Sequence, residues 1–364
     1  MPDLTWTEEE RMLQSTVREF VDREMAPRAI EVDRSEEFSW ENWQGMAGLG
    51  LMGIGIDSDY GGNGSGGYRH VAIVAEEVAR GDASASVSLL AHLSLGTTTI
   101  AWFGNHEQKN RFLPTLATGK GVAAWALTEP GGGSDAAALR TTATERDGTY
   151  FLNGSKTFIT NASVAESIVV FATQDASKGH RGISAFVVEK DSPGLQINPL
   201  HGKLGIRAST TDEVVFQDTP VPARNLLGEE GRGFNYAMEI LNSSRIIIAA
   251  QCVGIGQAAL ESAVRYSQQR ETFGKPVAQH QAIQFMLADM ATEVHAARVS
   301  TMHSATLKDQ GLPFLMEASM AKLLASEMCI NVSSKAIQVH GGIGYFQETG
   351  VCLLYTSPSP RDRG

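Results

Sequence analysis

Apolar residues recur at helical spacing through the first third of the chain, where Leu13, Val17, Phe20 and Met25 share one face of a predicted helix. Thr7 precedes that helix as N-cap, with Glu10 three residues on as its capping-box partner. After a glycine-rich stretch from Gly61 to Gly67, a second stripe runs through Val71, Ile73, Val74 and Val78, and a third through Leu90, Leu93 and Ile100. From about Val122 the period shortens to β-rich runs at 150–160, 167–173, 183–189, 195–198 and 213–216, divided by turn clusters such as Asp147-Gly148 and Ser192-Pro193-Gly194. Beyond Gly233 the helical period returns over 234–270, 278–309 and 314–339, and Met286, Met290, Val294 and Ala297 form a core-facing stripe on the second segment. The pattern predicts an α+β multidomain protein: an N-terminal helical domain at 1–121, a middle antiparallel β domain at 122–230, and a C-terminal helical bundle at 231–351. A fourth bundle helix is expected next. Residues 352–364 do not supply it, because Pro358 and Pro360 interrupt a segment without periodicity, and it reads as a non-native tail.

Composition narrows the functional classes. With 364 residues, 42% hydrophobic and 20% charged, the chain is an ordinary globular protein large enough for several packed units. A formal net charge of −11 and the lack of a basic run interleaved with aromatics argue against nucleic acid as a partner. No apolar stretch approaches the roughly 20 residues that cross a bilayer, and the acidic start lacks a basic signal region, so the expectation is a cytoplasmic protein without a membrane partner. Cys252, Cys329 and Cys352 lie far apart and read as buried small hydrophobes, and the nine histidines form no metal-binding pattern.

Several segments carry candidate chemistry. Gly48 to Gly53 spells the GxGxxG string of dinucleotide-binding folds, but the residues before it look helical, so the strand-turn-helix context is missing. At Trp125-Ala-Leu-Thr128-Glu-Pro-Gly131-Gly-Gly133-Ser134-Asp135 a strand gives way to a loop whose glycines free backbone N–H groups to approach a phosphate or a flavin. Phe158 and Thr160 close a later strand, two residues apart and so on one face. Arg270-Glu-Thr272-Phe273-Gly274 and Gln338-Val-His-Gly341-Gly342-Ile-Gly344-Tyr345 each end a long helix. Taken singly, each has an ordinary structural explanation as a turn or a helix stop.

In this order and spacing, together with Lys203 to Arg207, Leu226 to Glu229 and His280-Gln281-Ala-Ile283, the segments resemble the signatures of the acyl-CoA dehydrogenases of short-chain or branched-chain type, from Met1 to about Val351. The resemblance implies FAD lying between the β domain and the bundle. Trp125, Leu127, Thr128, Gly133 and Ser134 would line the flavin and its pyrophosphate, Phe158 would stack on the ring with Ile159 beside it, and Thr160 would bond near N5. Phe158 stands where many members have Trp, which keeps a stacking surface and removes an indole donor. Arg270, Thr272, Phe273, His280 and Gln281, with Gln338, Gly341 and Gly342, would reach the ADP half of a neighbouring subunit's FAD, which implies a homodimer or homotetramer. Acyl-CoA would meet Ser134, Ser177 and the stretch Asn242, Ser243, Ser244 and Arg245.

The implied reaction is α,β-dehydrogenation of a short or branched acyl-CoA, with electrons passed on to an electron-transferring flavoprotein. A carboxylate removes the α-proton as the β-hydrogen leaves as hydride. In most members that base falls, by motif counting, at or just past Gly364. The minority position is occupied by Ser244, whose hydroxyl needs an activator of its own. No catalytic residue is therefore assigned within the sequence. The tail from about Cys352 resembles translated adapter sequence, so a truncated gene and weak activity are expected. A same-fold flavoprotein oxidase and a non-catalytic helical scaffold are the competing readings.

Overall fold

The computed structural model describes residues 5–351 and Leu354. The N-terminal helices are α1 (Glu8–Phe20), α2 (Ala29–Ser35), α3 (Trp40–Gly48), α4 (Tyr68–Gly81), α5 (Ala83–Leu90), α6 (Thr98–Phe103) and α7 (His106–Ala117). The capping box forms as the sequence dictates, with Glu10 N–H donating to Thr7 Oγ1 at 3.1 Å and Thr7 N–H to Glu10 Oε2 at 2.8 Å. Glu10 also receives the Arg69 guanidinium, which holds its carboxyl below the usual range and ties α1 to α4. Of the predicted face Val17 and Met25 are fully buried and Leu13 and Phe20 partly so, with the unpredicted Val21 buried beside them, against Trp43, Met46, Val74 and Leu89. The Gly48–Gly53 stretch leaves helix α3 and enters a 3-10 turn at Leu51–Gly53, so the dinucleotide fingerprint lacks its strand, as read.

The middle unit holds β1 (Ala123–Ala126), β2 (Thr142–Arg146), β3 (Thr149–Thr160), β4 (Ser167–Thr173), β5 (Ile183–Glu189), β6 (Leu195–Pro199), β7 (Thr211–Pro222) and β8 (Leu226–Leu227). One sheet runs in the order β6-β7-β3-β2-β4-β5-β8, with β1 on β4. It is antiparallel except where β1 pairs with β4 in parallel register and β2 touches β4 at Thr142 and Thr173, a refinement of the uniformly antiparallel sheet expected. The exception follows from connectivity: β1 and β4 are joined through the β2–β3 hairpin, long enough for a crossover. The predicted strands at 167–173 and 183–189 match β4 and β5 end to end.

Three long helices follow: α8 (Gly233–Gln269), then a small hairpin of β9 (Glu271–Thr272) and β10 (Lys275–Pro276), α9 (Gln281–Asp309) and α10 (Leu315–His340). Helix α9 begins at Gln281 and not at 278, because Val277–Gln279 forms a 3-10 turn and His280 is extended. Met290, Val294 and Ala297 are buried against Cys329, Val332 and Ala336, so the predicted stripe faces the core. One expectation fails: α8, 37 residues long, is apolar enough by length and composition to cross a membrane. Its apolar positions, among them Ile246, Ile247, Val253 and Ala263, are buried against neighbouring helices, as in the central helix of a packed bundle. Gly254 lets it touch α4 backbone to backbone, since a Cβ there would lie 2.1 Å from the Glu76 carbonyl oxygen. Cys252 and Cys329 are buried, as expected, whereas Cys352 lies outside the described residues, as does the tail at 355–364.

Candidate functional site

A cleft of about 680 Å³ opens on the middle unit, a volume in the range of small-molecule sites. Its walls bring together Trp125, Leu127, Thr128, Gly133, Ser134, Phe158, Ile159 and Thr160, eight residues singled out in the sequence. The first five come from the end of β1 and the loop after it, the last three from the end of β3. Trp125 leans edge-on against Phe171 at 4.9 Å, and its indole Nε1 is buried with no hydrogen-bond partner among the described residues. A buried donor without an acceptor costs about 1–3 kcal/mol, which marks this wall as built to meet one.

The end of β3 is not a regular strand. Three steps from Lys156 to Ile159 on β3 span two from Val214 to Asp212 on β7, which is a β-bulge. Phe158 sits inside it at φ 57°, a left-handed backbone that costs a non-glycine residue of order 1–3 kcal/mol. The bulge turns the Phe158 ring outward, 56% exposed, while Ile159 and Thr160 stay buried and all three line the cleft. The simple two-residue alternation that placed Phe158 and Thr160 on one face is therefore replaced by a bulge that aims the ring separately.

Sequence reasoning missed Ala91 and Leu95, which also line the cleft. They belong to a π-helical turn, Ala91–Thr97, between α5 and α6. Such turns free backbone carbonyls, and here the hydroxyls of Ser94, Thr98 and Thr99 donate to the carbonyls of Leu90, Leu93 and Leu95 at 2.6–2.7 Å. His92, in the same turn, accepts from the Ala123 amide through Nδ1 at 2.9 Å and lies 3.2 Å from the Leu116 carbonyl through Nε2. A dense run of Ser and Thr within an apolar helix was the available signal.

Glu129 also lines the cleft and was not singled out. It pairs with Lys156 Nζ at 2.7 Å and accepts from the Arg140 and Thr141 amides and the Thr141 hydroxyl. Burial pulls the Glu129 carboxyl up, but the Lys156 ammonium and these hydrogen bonds outweigh it and leave it lowered. Burial brings Lys156, fully enclosed, down to about 8 against the opposing pull of Glu129.

The remaining predicted residues stand elsewhere. Arg270, Thr272, Phe273, His280 and Gln281 form a corner at the end of α8, where Thr272 Oγ1 lies 3.1 Å from His280 Nε2 and Phe273 is 96% exposed at φ 53°. Gln338, Gly341 and Gly342 end α10 at the same end of the bundle, where His340 stacks on Tyr266, one turn before Arg270. None of these lines the cleft of its own chain. Asn242, Ser243, Ser244 and Arg245 lie within α8: the Arg245 guanidinium donates to Asn242, and Ser243 and Ser244 return their hydroxyls to the Glu239 and Leu241 carbonyls. Ser177 is exposed on the 3-10 segment Ala176–Gly182 and donates to Asp175. The cleft lining thus contains Ser134 but neither Ser177 nor the 242–245 stretch.

Family models match three consecutive segments of the chain: "Acyl-CoA dehydrogenase, N-terminal domain" at 7–120, "middle domain" at 124–219 and "C-terminal domain" at 231–357. The fold and these matches define an oxidoreductase acting on CH–CH donors. An acyl-CoA dehydrogenase of Bacillus subtilis is 45% identical over 342 residues, 94% of this chain and 90% of that one. The structure of butyryl-CoA dehydrogenase from Megasphaera elsdenii superposes with a TM-score of 0.95 at 40% identity, covering 98% of this chain and 94% of that one. A structure described as the electron transferring flavoprotein of Acidaminococcus fermentans, in work on flavin-based electron bifurcation, contains a chain with a TM-score of 0.96 at 41% identity and the same coverage. The chain belongs to the acyl-CoA dehydrogenase family.

Proposed function

We propose that the protein binds FAD in the cleft and catalyses α,β-dehydrogenation of short or branched acyl-CoA thioesters to 2-enoyl-CoA, handing electrons to an electron-transferring flavoprotein. The observation that carries the reading is the cleft itself, in which eight residues read from the family motifs meet on one surface. The fit to a flavin rests on three features: an exposed Phe158 ring on one wall, the unpartnered indole N–H of Trp125, and a glycine loop with open space around Gly131 and Gly133 in which a phosphate could approach the backbone. Bound FAD would supply the hydride acceptor. Phe158 would stack on the ring, Thr160 would hydrogen-bond its edge, and Thr128, Gly133 and Ser134 would meet the pyrophosphate side. Removal of the α-proton is not assigned to Ser244, because a neutral hydroxyl is not a base without an activator and this one donates its hydrogen to the Leu241 carbonyl.

Phe273, Phe285, Met316, Met320 and Leu323 are exposed on the bundle, and they support a homo-oligomer in which the Arg270–Gln281 corner and the Gln338–Gly342 turn complete a neighbour's FAD site. Burial of Cys252 and Cys329 as small side chains suits a cytoplasmic protein. Ser177 and the 242–245 stretch remain part of the proposal as contacts of the CoA portion beyond the cleft. Absorption spectroscopy with added FAD, followed by butyryl-CoA under anaerobic conditions, tests the reading. Flavin bands that appear on reconstitution and respond to the thioester support it, and a protein that takes up no FAD refutes it. Stoichiometric peroxide release under air would instead identify an oxidase.

A further inference from the structure

The loop from Pro130 to Leu139 has little to hold it at its tip. A Cβ on Gly131 would meet no atom within 4 Å, and one on Gly133 would meet only the Thr128 methyl, at 3.6 Å. Ala136 and Leu139 pack into the core further along, and the tip itself is ordered from its root, which is heavily bonded. Glu129 and Gly132 exchange backbone hydrogen bonds at 3.2 and 3.1 Å, closing a tight turn with Pro130 and Gly131 at its centre. The Glu129 carboxylate then reaches across the mouth of the loop to the Arg140 amide at 2.6 Å and the Thr141 amide at 2.9 Å, fastening entrance to exit. From below, Lys156 Nζ donates to the Leu127 carbonyl at 3.1 Å and to Glu129 at 2.7 Å, and the neighbouring Thr157 amide donates to the Thr128 carbonyl at 2.9 Å.

A buried ion pair is a poor source of stability, since desolvation of both charges offsets their attraction and an apolar pair of equal volume does as well or better. What such a pair supplies is direction: an ammonium with three donors and a carboxylate with two acceptor oxygens fix the groups around them in one arrangement. Here every bond of the pair goes to backbone or side chain at the two ends of the glycine loop. Lys156 is also the last regular residue before the bulge that turns Phe158 outward. One side chain thereby sets the relative position of both cleft walls contributed by the sheet.

We propose that Lys156 is a positioning residue for the cofactor: through Glu129 and the Leu127 carbonyl it holds the glycine loop, before any ligand arrives, in the shape that receives FAD. The inference rests on the reading of the cleft as the flavin site. It concerns residues that do not touch the reacting atoms, so affinity and loop exchange are its measures, not turnover alone.

The test uses the full chain freed of flavin, with Lys156→Met, Glu129→Gln and the double variant carrying both. FAD affinity is read by flavin fluorescence well below each melting temperature, and amide hydrogen exchange is read at Arg140 and Thr141. Each single change is expected to raise the Kd for FAD about tenfold to a hundredfold, the range found when supporting residues around a ligand site are removed. The double variant is expected to bind no more weakly than the worse single one, because both act through one pair. Faster exchange at Arg140 and Thr141 should accompany the loss. Unchanged FAD affinity in variants whose melting temperature falls would overturn the proposal and leave the pair a purely structural one. Should the single variants fail to fold, the uncharged double variant decides, and unprotected Arg140 and Thr141 amides in the wild-type apoprotein would also overturn it. A wild-type chain that takes up no FAD while those amides are protected would refute the flavin reading and leave the loop lock standing.

Discussion

Acidification should loosen the joint between the N-terminal helices and strand β1, and His92 is where it starts. The Ala123 amide donates to Nδ1, so that nitrogen carries no proton, and the neutral ring donates from Nε2 to the Leu116 carbonyl. The ring is completely buried and edge-on to Trp43 at 5.0 Å, and burial brings its pKa from 6.5 down to about 4. An unfolded chain therefore binds a proton at this residue between pH 6.5 and 4 where the folded one does not, and stability is lost as pH falls through that window. At about 1.4 kcal/mol for each tenfold change in proton affinity, the loss approaches roughly 3 kcal/mol below pH 4. Two buried acids, Glu76 and Asp82, are shifted upward by burial and titrate with the opposite sign, so the raw pH curve mixes these contributions. A His92→Gln variant separates them, because a glutamine amide can accept from Ala123 and donate to Leu116 without titrating. Urea unfolding of both proteins from pH 7 to pH 4 is the assay. The wild-type curve should fall away from that of the variant by roughly 3 kcal/mol across this range. A difference between the two proteins that is constant with pH would refute the reasoning.

Phe158→Gly should relieve the left-handed strain in the β3 bulge while removing the stacking surface, so thermal melting should hold or rise as the Kd for FAD increases; a lower melting temperature would contradict the strain argument. Asp309→Ala removes the carboxylate that accepts from the Tyr68 and Arg69 amides, and should cost about 1–2 kcal/mol in denaturant unfolding. Phe273→Asp should reduce the molar mass measured by light scattering and weaken FAD binding, with little change in helix content by circular dichroism, because the ring is almost wholly exposed within its own chain.

Local chemistry was legible in the sequence wherever it decided the structure. The Thr7 and Glu10 box and the largely apolar runs of β4 and β5 depend on neighbours a few residues away or on a strong local hydrophobic pattern. Strand β7 runs from Thr211 to Pro222, far past the expected 213–216, and its second half was not legible because Gln217, Asp218 and Pro220 give no apolar signal and the last two are of types depleted in strands. A left-handed Asp218 and reciprocal bonds with Asn153 on β3 hold that half in the sheet, and such a partner is not visible in one strand's composition. Strand β2, Thr-Ala-Thr-Glu-Arg, offered almost no apolar signal because one of its five residues is buried. In the cleft, the residues named from motifs came together, whereas Lys156, Glu129, Ala91 and Leu95 act through partners distant in the chain. The direction of Phe158 depends on a bulge that no periodicity announces.

The amide donors that open helix α4 find their acceptor in Asp309, some 240 positions later. A ribosome releasing this chain would expose the early helices long before that carboxylate emerges, so their first turn must wait, hydrated or chaperoned, until most of the bundle has been made. Protease probing of nascent chains arrested before and after residue 309 would show the first segment gaining resistance only once its distant acceptor has been delivered.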